Sequence, residues 1–223
     1  MTVLAIAAGP VADRPAELLV LVAALALLPA ALVMLTSFLK IVVVLSIARS
    51  ALGAPQVPPN TAVTGLALVL TALVMAPVAE RAVDAMRASP PERGVVAALA
   101  QLERGAEPLR GFLARFARAD DRAAFLDVAR RLRGPDAAAP SEGDLAVLAP
   151  AFVVSELRRA FTIGFLVFVP FLVVDLVVSN VLLALGLTQL SPTTVALPFK
   201  LLLFVAVDGW KLLARALALS YAG

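Results

Sequence analysis

The sequence contains no cysteine and no histidine among its 223 residues, and it has one tryptophan and one tyrosine. These absences exclude a disulfide framework, a thiolate nucleophile, an imidazole base and a Cys/His metal site. Carboxylates do not cluster as they would at a metal or catalytic centre. No basic stripe with interleaved aromatic residues accompanies the net charge of +3. We therefore expect no catalytic residue, no metal, no cofactor and no nucleic-acid partner.

Hydrophobic residues are abundant, at 61% of the chain with a mean hydropathy of +0.97. Soluble domains average about 45–50% apolar residues. The excess lies in four runs, and about 20 apolar residues suffice for a membrane helix. The sequence therefore predicts an integral membrane protein with four hydrophobic segments, at residues 18–35, 62–79, 161–187 and 197–219.

Charge is concentrated in the middle of the chain. Residues 80–159 hold 13 of the 19 Lys and Arg and 12 of the 16 Asp and Glu. This composition indicates a water-facing domain between two membrane halves. We predict an all-α fold of membrane helical hairpins with a helical extracytoplasmic insertion. Its parts are an N-terminal hairpin (1–79), a polar helical domain (80–159) and broken C-terminal membrane segments (160–223).

The orientation follows from the charges beside the first two segments. Lys40 and Arg49 lie between them without an acidic partner, which places this connection in the cytoplasm by the positive-inside rule. Two crossings then place residues 80–159 outside the cytoplasm. The N-terminus lacks a positive region, so we expect no cleaved signal peptide and an uncleaved first helix that acts as the targeting signal.

The middle domain carries helical signals. Asp120 and Asp121 are predicted caps of one helix, and Ser141 with Asp144 resembles a capping box at the start of the next. Apolar residues at helical spacing predict the core of a helical hairpin. The two stripes are Leu109, Phe112, Leu113 and Phe116, then Phe125, Val128 and Leu132.

The C-terminal half has polar and helix-breaking residues inside its apolar runs. Such interruptions are typical of discontinuous membrane segments that line a cavity or a subunit contact. They are Gly164, Pro170, Asp175, Ser179, Asn180, Pro192, Pro198, Lys200, Asp208 and Gly209.

Asp175 and Lys200 are the most informative of these residues. A charge inside a membrane segment costs about 2.5–3.5 kcal/mol on insertion scales, and pairing of opposite charges offsets that cost. We predict an ion pair, within or between subunits. The alternatives are that Lys200 extends to the membrane interface while Asp175 caps or bends a helix, or that the two residues belong to an ion pathway.

Other charged residues are candidate subunit contacts. Glu156, Arg158 and Arg159 precede the third segment, where they bind a neighbour or mark the membrane boundary. Asp208 is a further candidate, although local pairing with Lys211, three residues on, is the simpler interpretation. Trp210 and Tyr221 are candidates for the interfacial aromatic belt.

Two long stretches of the chain carry a family signature. The first is KIVVVLSIARSALGAPQVPPNTAVTGLALVLTALVMAPV. The second is AFVVSELRRAFTIGFLVFVPFLVVDLVVSNVLLALGL, followed by SPTTVALPFKLLLFVAVDGW. Both resemble the FliP/SctR family of type III secretion export proteins. Together the resemblance covers residues 36–78 and 150–221, which is more than half of the chain.

The resemblance implies a non-enzymatic, pore-forming subunit of the export gate in the bacterial inner membrane, with residues 80–159 on the periplasmic side. Family members form a homopentamer that assembles with a small two-helix subunit of the SctS/FliQ type and a larger SctT/FliR type subunit. The complex conducts unfolded proteins and seats the rod or needle. The short N-terminus favours the injectisome branch over the flagellar one.

One loop departs from the family pattern. The family places a methionine-rich loop after the third segment as a gasket around the pore, since flexible thioethers repack around varied chains. The matching positions here carry no methionine, so a gasket would have to seal with leucines. They are Gly186, Leu187, Thr188, Gln189 and Leu190.

Two other functions were weighed. A secondary transporter using Asp175 and Lys200 is the alternative, although transporters usually carry internal repeats and none is visible. A membrane hydrolase would need a nucleophile and base, or a metal set, and the sequence offers neither.

Overall fold

The computed structural model describes residues 33–54, 57–88, 95–133 and 139–222, with the single positions 22, 26 and 30. Side chains at 95–100 and 102 are outside this description. Most of the first predicted membrane segment, including Pro29, lies outside the described residues.

The described part of the chain is entirely helical, which confirms the predicted all-α class. In chain order the helices are α1 (Phe38–Ala51), α2 (Asn60–Arg87), α3 (Val95–Phe116), α4 (Ala119–Leu132), α5 (Leu145–Ala184), α6 (Pro192–Ala206) and α7 (Gly209–Leu219). Most of them pack against the longest one, α5.

Among the described residues, α2 and α5 are long and apolar enough to cross a membrane. Only 11% of the most apolar 18-residue window of α5 is buried, whereas a core helix of a soluble protein would be mostly buried. The 40 residues of α5 span about 60 Å at 1.5 Å per residue, roughly twice the thickness of a bilayer core. Its apolar part can therefore cross a membrane while the remainder stands outside.

Helix α1 is separate from the first predicted segment, because residues 35–37 form a turn before it. Its buried face packs along α5, with Ile41, Val44 and Leu45 fully buried. At the connection to α2, Arg49 donates hydrogen bonds to the Pro58 carbonyl and the Asn60 side chain. Lys40 is not in this connection but inside α1 and buried.

Helix α2 extends farther than the sequence indicated. The second hydrophobic segment was predicted to end at residue 79, just after Pro77, whereas the helix continues to Arg87. A proline removes one backbone hydrogen bond but does not have to end a helix that packing supports. Here Val78, directly after the proline, is buried against α3 and α5.

Helix α5 passes without a break through Pro150, Gly164, Pro170, Ser179 and Asn180. The interruptions expected within residues 161–187 are therefore absent as far as Ala184. The discontinuities lie later, in the turn at residues 185–191 and at residues 207–208 between α6 and α7. Packing explains the continuity, because Gly164 lets Ile47 of α1 approach to 2.5 Å from where a Cβ would sit.

The helix caps differ from the prediction. Arg118 holds the N-cap position of α4, so Asp120 and Asp121 lie in the first turn, where negative charge is still favourable. For α5 the cap is Asp144, not Ser141. The Asp144 carboxylate accepts hydrogen bonds from the Ser141 hydroxyl at 2.8 Å and from its N–H at 3.2 Å. These bonds hold the pKa of Asp144 below its usual value.

Among the described residues, buried hydrophobic side chains form two clusters that hold the helices together. The first core joins α1, α2, α5, α6 and α7 through residues such as Leu45, Phe171 and Leu217. The second core joins the α3–α4 hairpin to α5 and the end of the chain. Of the predicted hairpin stripes, Phe112, Leu113 and Phe116 are buried there, with Leu109 and Phe125 packed against them, while Val128 and Leu132 are exposed.

Candidate functional site: buried ion pairs at the helix junctions

A lysine of α1 and a glutamate of α5 meet inside the protein. Lys40 is 2% exposed and Glu156 is fully buried, and Lys40 Nζ lies 3.3 Å from Glu156 Oε2. Both side chains sit on the helix faces that pack together. Removing either charge from water is expensive unless the partner is close and the remaining polar atoms are hydrogen-bonded. The pair therefore fixes the register of α1 against α5.

Two further groups complete the environment of Glu156. Arg159 Nη1 donates to Glu156 Oε1 at 2.6 Å, and the Tyr221 hydroxyl donates to Oε2. The Tyr221 ring also lies 3.6 Å from Lys40 Nζ, in a cation–π contact. Burial, reinforced by the negative charge of Glu156, raises the pKa of Tyr221, so the phenol keeps its proton and remains a donor.

A second polar cluster joins α4 to α5. Asp121 is 6% exposed and accepts a hydrogen bond from the Ser155 hydroxyl at 2.6 Å. Arg158 Nη2 lies 3.2 Å from the other carboxylate oxygen of Asp121. The Ser155 oxygen accepts the backbone N–H of Arg118 at 2.9 Å. The hairpin is thereby fixed to α5 by a buried carboxylate whose two oxygens are both occupied.

The structure brings Asp175 and Lys200 together. Lys200 Nζ lies 2.6 Å from Asp175 Oδ2 and also donates to the Ala51 carbonyl at 3.4 Å. Lys200 is buried, while the Asp175 side chain is 35% exposed. Asp175 Oδ1 has no hydrogen-bond partner among the described residues. The contact links α5, α6 and the end of α1, whereas a role in subunit contacts stays a prediction.

The predicted gasket residues form the turn between α5 and α6. Gly186 has a positive φ of 71°, and its N–H bonds to the Leu183 carbonyl while Leu187 N–H bonds to that of Leu182. This pattern is a Schellman motif, in which glycine ends a helix without steric strain. All five positions are exposed, with Leu187 and Leu190 at 44% and 48%. The loop is therefore available for contact with other molecules, and its role in sealing stays a prediction.

The other predicted contact residues fall into two groups. Glu156 makes its contacts within the chain, whereas Arg158 and Arg159 remain partly exposed beside it. Asp208 is exposed and pairs locally with Lys211 at 3.3 Å. Asp208 adopts a left-handed conformation (φ 54°), which Asp tolerates better than most residues, at the break between α6 and α7.

Sequence reasoning missed four residues of these clusters. Lys40 was expected to have no acidic partner, and Tyr221 was assigned to the aromatic belt. Both expectations are wrong, because both side chains are buried around Glu156. Asp121 and Ser155 were not recognised as a pair. The apolar run that follows Lys40 was the one available signal of its burial, since it indicated that this lysine lies at the start of a helix that packs inside the protein.

In these clusters cations pair with carboxylates, and no three His, Cys, Asp or Glu side chains of the described residues come together as metal ligands. What the arrangement can do is hold α1, α4, α5 and α6 in a defined register.

Comparison with known proteins gives the family. Residues 21–217 match the model of the FliP family. The chain belongs to the FliP family. Lys40, Glu156, Asp175 and Lys200 all lie within the matched residues, and Tyr221 lies beyond them.

Similar FliP-family proteins are named either for flagellar biosynthesis or for protein secretion and translocation. The flagellar biosynthetic protein FliP of Pectobacterium carotovorum is 49% identical over 207 residues, covering 92% of this chain and 78% of the relative. The hypersensitivity response secretion protein HrcR of Ralstonia nicotianae is 44% identical, covering 92% and 97%. The Yop proteins translocation protein R of Yersinia pestis is 45% identical, covering 93% and 96%.

Proposed function

We propose that this chain is a structural, non-enzymatic subunit of a type III secretion export gate in the bacterial inner membrane. It would form part of a pore that conducts unfolded proteins and seats the rod or needle. Membership of the FliP family supports an export component, since similar proteins are named for flagellar biosynthesis, secretion and translocation.

The observation that carries the proposal is the uncovered apolar surface of the C-terminal half. The second part of α5 and residues 199–205 of α6 expose large hydrophobic side chains. Water would not stabilise such a surface, which marks contact with lipid or with other subunits. Those more than half exposed are Phe161, Phe165, Leu166, Val173, Leu176, Val177, Val181, Leu183, Phe199, Leu202 and Val205.

The proposed partners come from the resemblance to the FliP/SctR family. A homopentamer together with SctS/FliQ-type and SctT/FliR-type subunits would cover the apolar faces of α5 and α6. In this arrangement residues 80–159 lie on the periplasmic side. Of the two charges that predicted this orientation, Arg49 remains at the connection, while Lys40 is neutralised inside the fold.

The experiment is native mass spectrometry of the detergent-extracted protein, expressed alone and then with its neighbouring membrane subunits. A discrete homopentamer that recruits those subunits is the expected result. A stable monomer or dimer that ignores them would overturn the proposal. Restoring export in flagellar and injectisome strains that lack their own family member then separates the two branches.

The exposed turn at residues 186–190 supports a second element of the proposal, a pore-sealing loop. We expect Leu187→Asp to raise ion leak through the assembled complex without reducing assembly, because this side chain is exposed and makes no core contact. Conductance of the complex in planar bilayers measures the leak, and Val128→Asp is an exposed control on α4, away from the apolar surface of α5 and α6. An unchanged leak would place the seal elsewhere.

A secondary transporter is the second candidate. The observation in its favour is Asp175, whose Oδ1 lacks a partner within the described residues. Proton-coupled uptake by the purified protein in vesicles, abolished by Asp175→Asn, would establish this function. The absence of such uptake would rule out the transporter function.

A further inference from the structure

The last three described residues, 220–222, form a turn that we call the C-terminal strap. Ser220 lines a cavity of about 570 Å³ on one side of the strap, and Tyr221 lines a second cavity of about 560 Å³ on the other. Arg115 and Phe116, at the end of α3, line both cavities. The strap and the end of α3 therefore separate the two cavities where the α3–α4 hairpin meets α2 and α5.

The backbone of the strap continues α7, whereas one of its side chains enters the interior. The N–H groups of Ser220, Tyr221 and Ala222 donate to carbonyl oxygens of α7 at 3.0–3.2 Å. Ser220 and Ala222 are exposed, but Tyr221 is only 7% exposed. The strap thus follows α7 while Tyr221 inserts into the second core.

Tyr221 contacts three other helices at once. Its ring centroid lies 4.8 Å from that of Phe116 and 5.8 Å from that of Phe112, both on α3. On α1, Lys40 Nζ lies 3.6 Å from the ring centroid, and on α5 the Glu156 carboxylate accepts a hydrogen bond from the hydroxyl. Aromatic contacts stabilise beyond the area that they bury, so this side chain holds α3 against α1 and α5.

Helix α7 itself belongs to the first core. Leu213 and Leu217 are 8% and 1% exposed, and both pack in that cluster. Tyr221 follows Leu217 by four residues, which is about one helical turn. A displacement of α7 in the first core would therefore move Tyr221 in the second core, because so short a connection cannot absorb much movement.

We propose that the C-terminal strap couples the two cores, so that the α3–α4 hairpin stays closed on α5 only while α7 stays seated in the first core. When α7 shifts, Tyr221 leaves its contacts with Phe116 and Lys40, the two cavities join, and the end of the hairpin becomes accessible. This coupling concerns the fold of the single chain, so it goes beyond the proposed function and does not depend on it.

The charges around Tyr221 permit this withdrawal. Glu156 keeps Lys40 at 3.3 Å and Arg159 at 2.6 Å when the hydroxyl leaves. A buried carboxylate that retains its cationic partners is much less costly than one left unpaired. Withdrawal of Tyr221 therefore loses the ring contacts and one hydrogen bond, but it breaks no ion pair of Glu156.

Single cysteines can report the opening of each core, because the chain has no cysteine of its own. Ala117→Cys places a thiol in the second core, where Ala117 is 4% exposed, and Ala67→Cys places one in the first core, where Ala67 is fully buried. The full chain is purified alone in a neutral detergent. The rate of alkylation by N-ethylmaleimide under native conditions then measures how often each core opens.

Tyr221→Ala should raise the alkylation rate at Ala117→Cys about 100-fold, since truncation of a buried aromatic side chain costs about two decades in an equilibrium constant. The rate at Ala67→Cys should change little, because α7 keeps its own contacts in the first core. The matched control is Phe161→Ala, which truncates an exposed aromatic side chain of α5 and should leave both rates unchanged.

Leu217→Ala tests the coupling itself. It loosens α7 in the first core, so it should raise the alkylation rate at Ala117→Cys, in the other core, about tenfold or more. In a Tyr221→Ala background the same change should add almost nothing at Ala117→Cys, because the connection is already broken. Leu219→Ala, at an exposed position of α7, is the matched control and should leave the alkylation rates unchanged.

An unchanged rate at Ala117→Cys in the Tyr221→Ala variant would overturn the inference. So would an equal rise in both cores, which would make Tyr221 a support of the whole fold. Full additivity of Leu217→Ala and Tyr221→Ala would overturn it as well, since the two cores would then open independently. If Tyr221→Ala does not fold, Tyr221→Phe takes its place with an expected rise of about tenfold, because it keeps the ring and loses one hydrogen bond to a charged group.

Discussion

The two parts of helix α5 provide the most instructive comparison in this chain. From Leu145 to Ala160 the helix packs against the α3–α4 hairpin and, at Glu156, against Lys40 at the start of α1, and its buried residues include both polar and apolar ones. From Phe161 to Ala184 it is almost wholly apolar and mostly exposed, with the Asp175–Lys200 pair as its ionic contact. One rod therefore passes through two environments, and only its first part completes its packing within the chain.

The difference separates two uses of charge. In the first part, ion pairs specify how segments of the same chain fit together. In the second part, the apolar surface is not covered by the chain itself, so its packing depends on molecules outside the chain.

Glu156→Ala should lower the free energy of unfolding by about 3–5 kcal/mol, because it leaves Lys40 buried and unpaired. Chemical denaturation in detergent, followed by circular dichroism, measures the change. Glu107→Ala, an exposed glutamate on α3, is the control and should change stability little. Adding Lys40→Met to Glu156→Ala should recover part of the loss, and a fully additive double variant would argue against a coupled pair.

Phe152→Ala and Phe165→Ala compare the two parts directly. Phe152 is fully buried in the second core, so its truncation should cost about 3 kcal/mol or more in the isolated chain. Phe165 is exposed, so its truncation should change the isolated chain by about 0.5 kcal/mol or less. Thermal unfolding of the monomer and co-purification with the partner subunits are the two measurements. Phe165→Ala should weaken only the co-purification with partner subunits. Equal losses of stability in the two variants would contradict the difference between the two parts of α5.

Asp175→Ala should reduce assembly with partner subunits and destabilise the chain by about 2 kcal/mol, since it leaves Lys200 without its counter-charge in apolar surroundings. The figure is below that for Glu156 because the Asp175 side chain is about one-third exposed. Lys200→Ala should act in the same direction, and exchanging the two residues should partly restore assembly on a pull-down. Normal complexes from both single variants would refute the pairing idea.

Ser141→Ala should have the smallest effect, and a pH-dependent one. The hydrogen bonds from Ser141 lower the pKa of Asp144 below 3.8, so the stability they provide is present above that value and disappears as pH falls through the lowered pKa. Unfolding curves of the two proteins should differ at neutral pH and converge in acid. Glu142→Gln, at an exposed neighbouring position, is the control. A difference that persists at low pH would assign the effect to something other than Asp144.

The sequence predicted what depends on local pattern. The helical class, the polar block in the middle, the hairpin stripe around Phe112 and the membrane character of α5 all follow from periodicity and hydropathy. Helix ends were less predictable, because packing rather than composition carried α2 past Pro77 and α5 past Pro170.

The candidate site was harder to predict. Asp175 and Lys200 were conspicuous because each interrupts an apolar run in an otherwise uncharged part of the chain. Lys40, Asp121 and Tyr221 were not, since their partners lie on distant helices and nothing in the local sequence indicates that they are buried. Pairing of charges across long sequence separations is a property of the tertiary fold.

The continuity of α2 and α5 bears on how the molecule would behave under tension. Each runs from an apolar part into the polar middle without a joint, so neither residues 79–80 nor 159–160 form a hinge. A force on the α3–α4 hairpin would be transmitted along the axes of α2 and α5 toward their apolar ends. Residues 80–159 could therefore not be exchanged for another domain at those boundaries without breaking two helices. Any chimera would have to keep both helices continuous and in the same helical register across each junction.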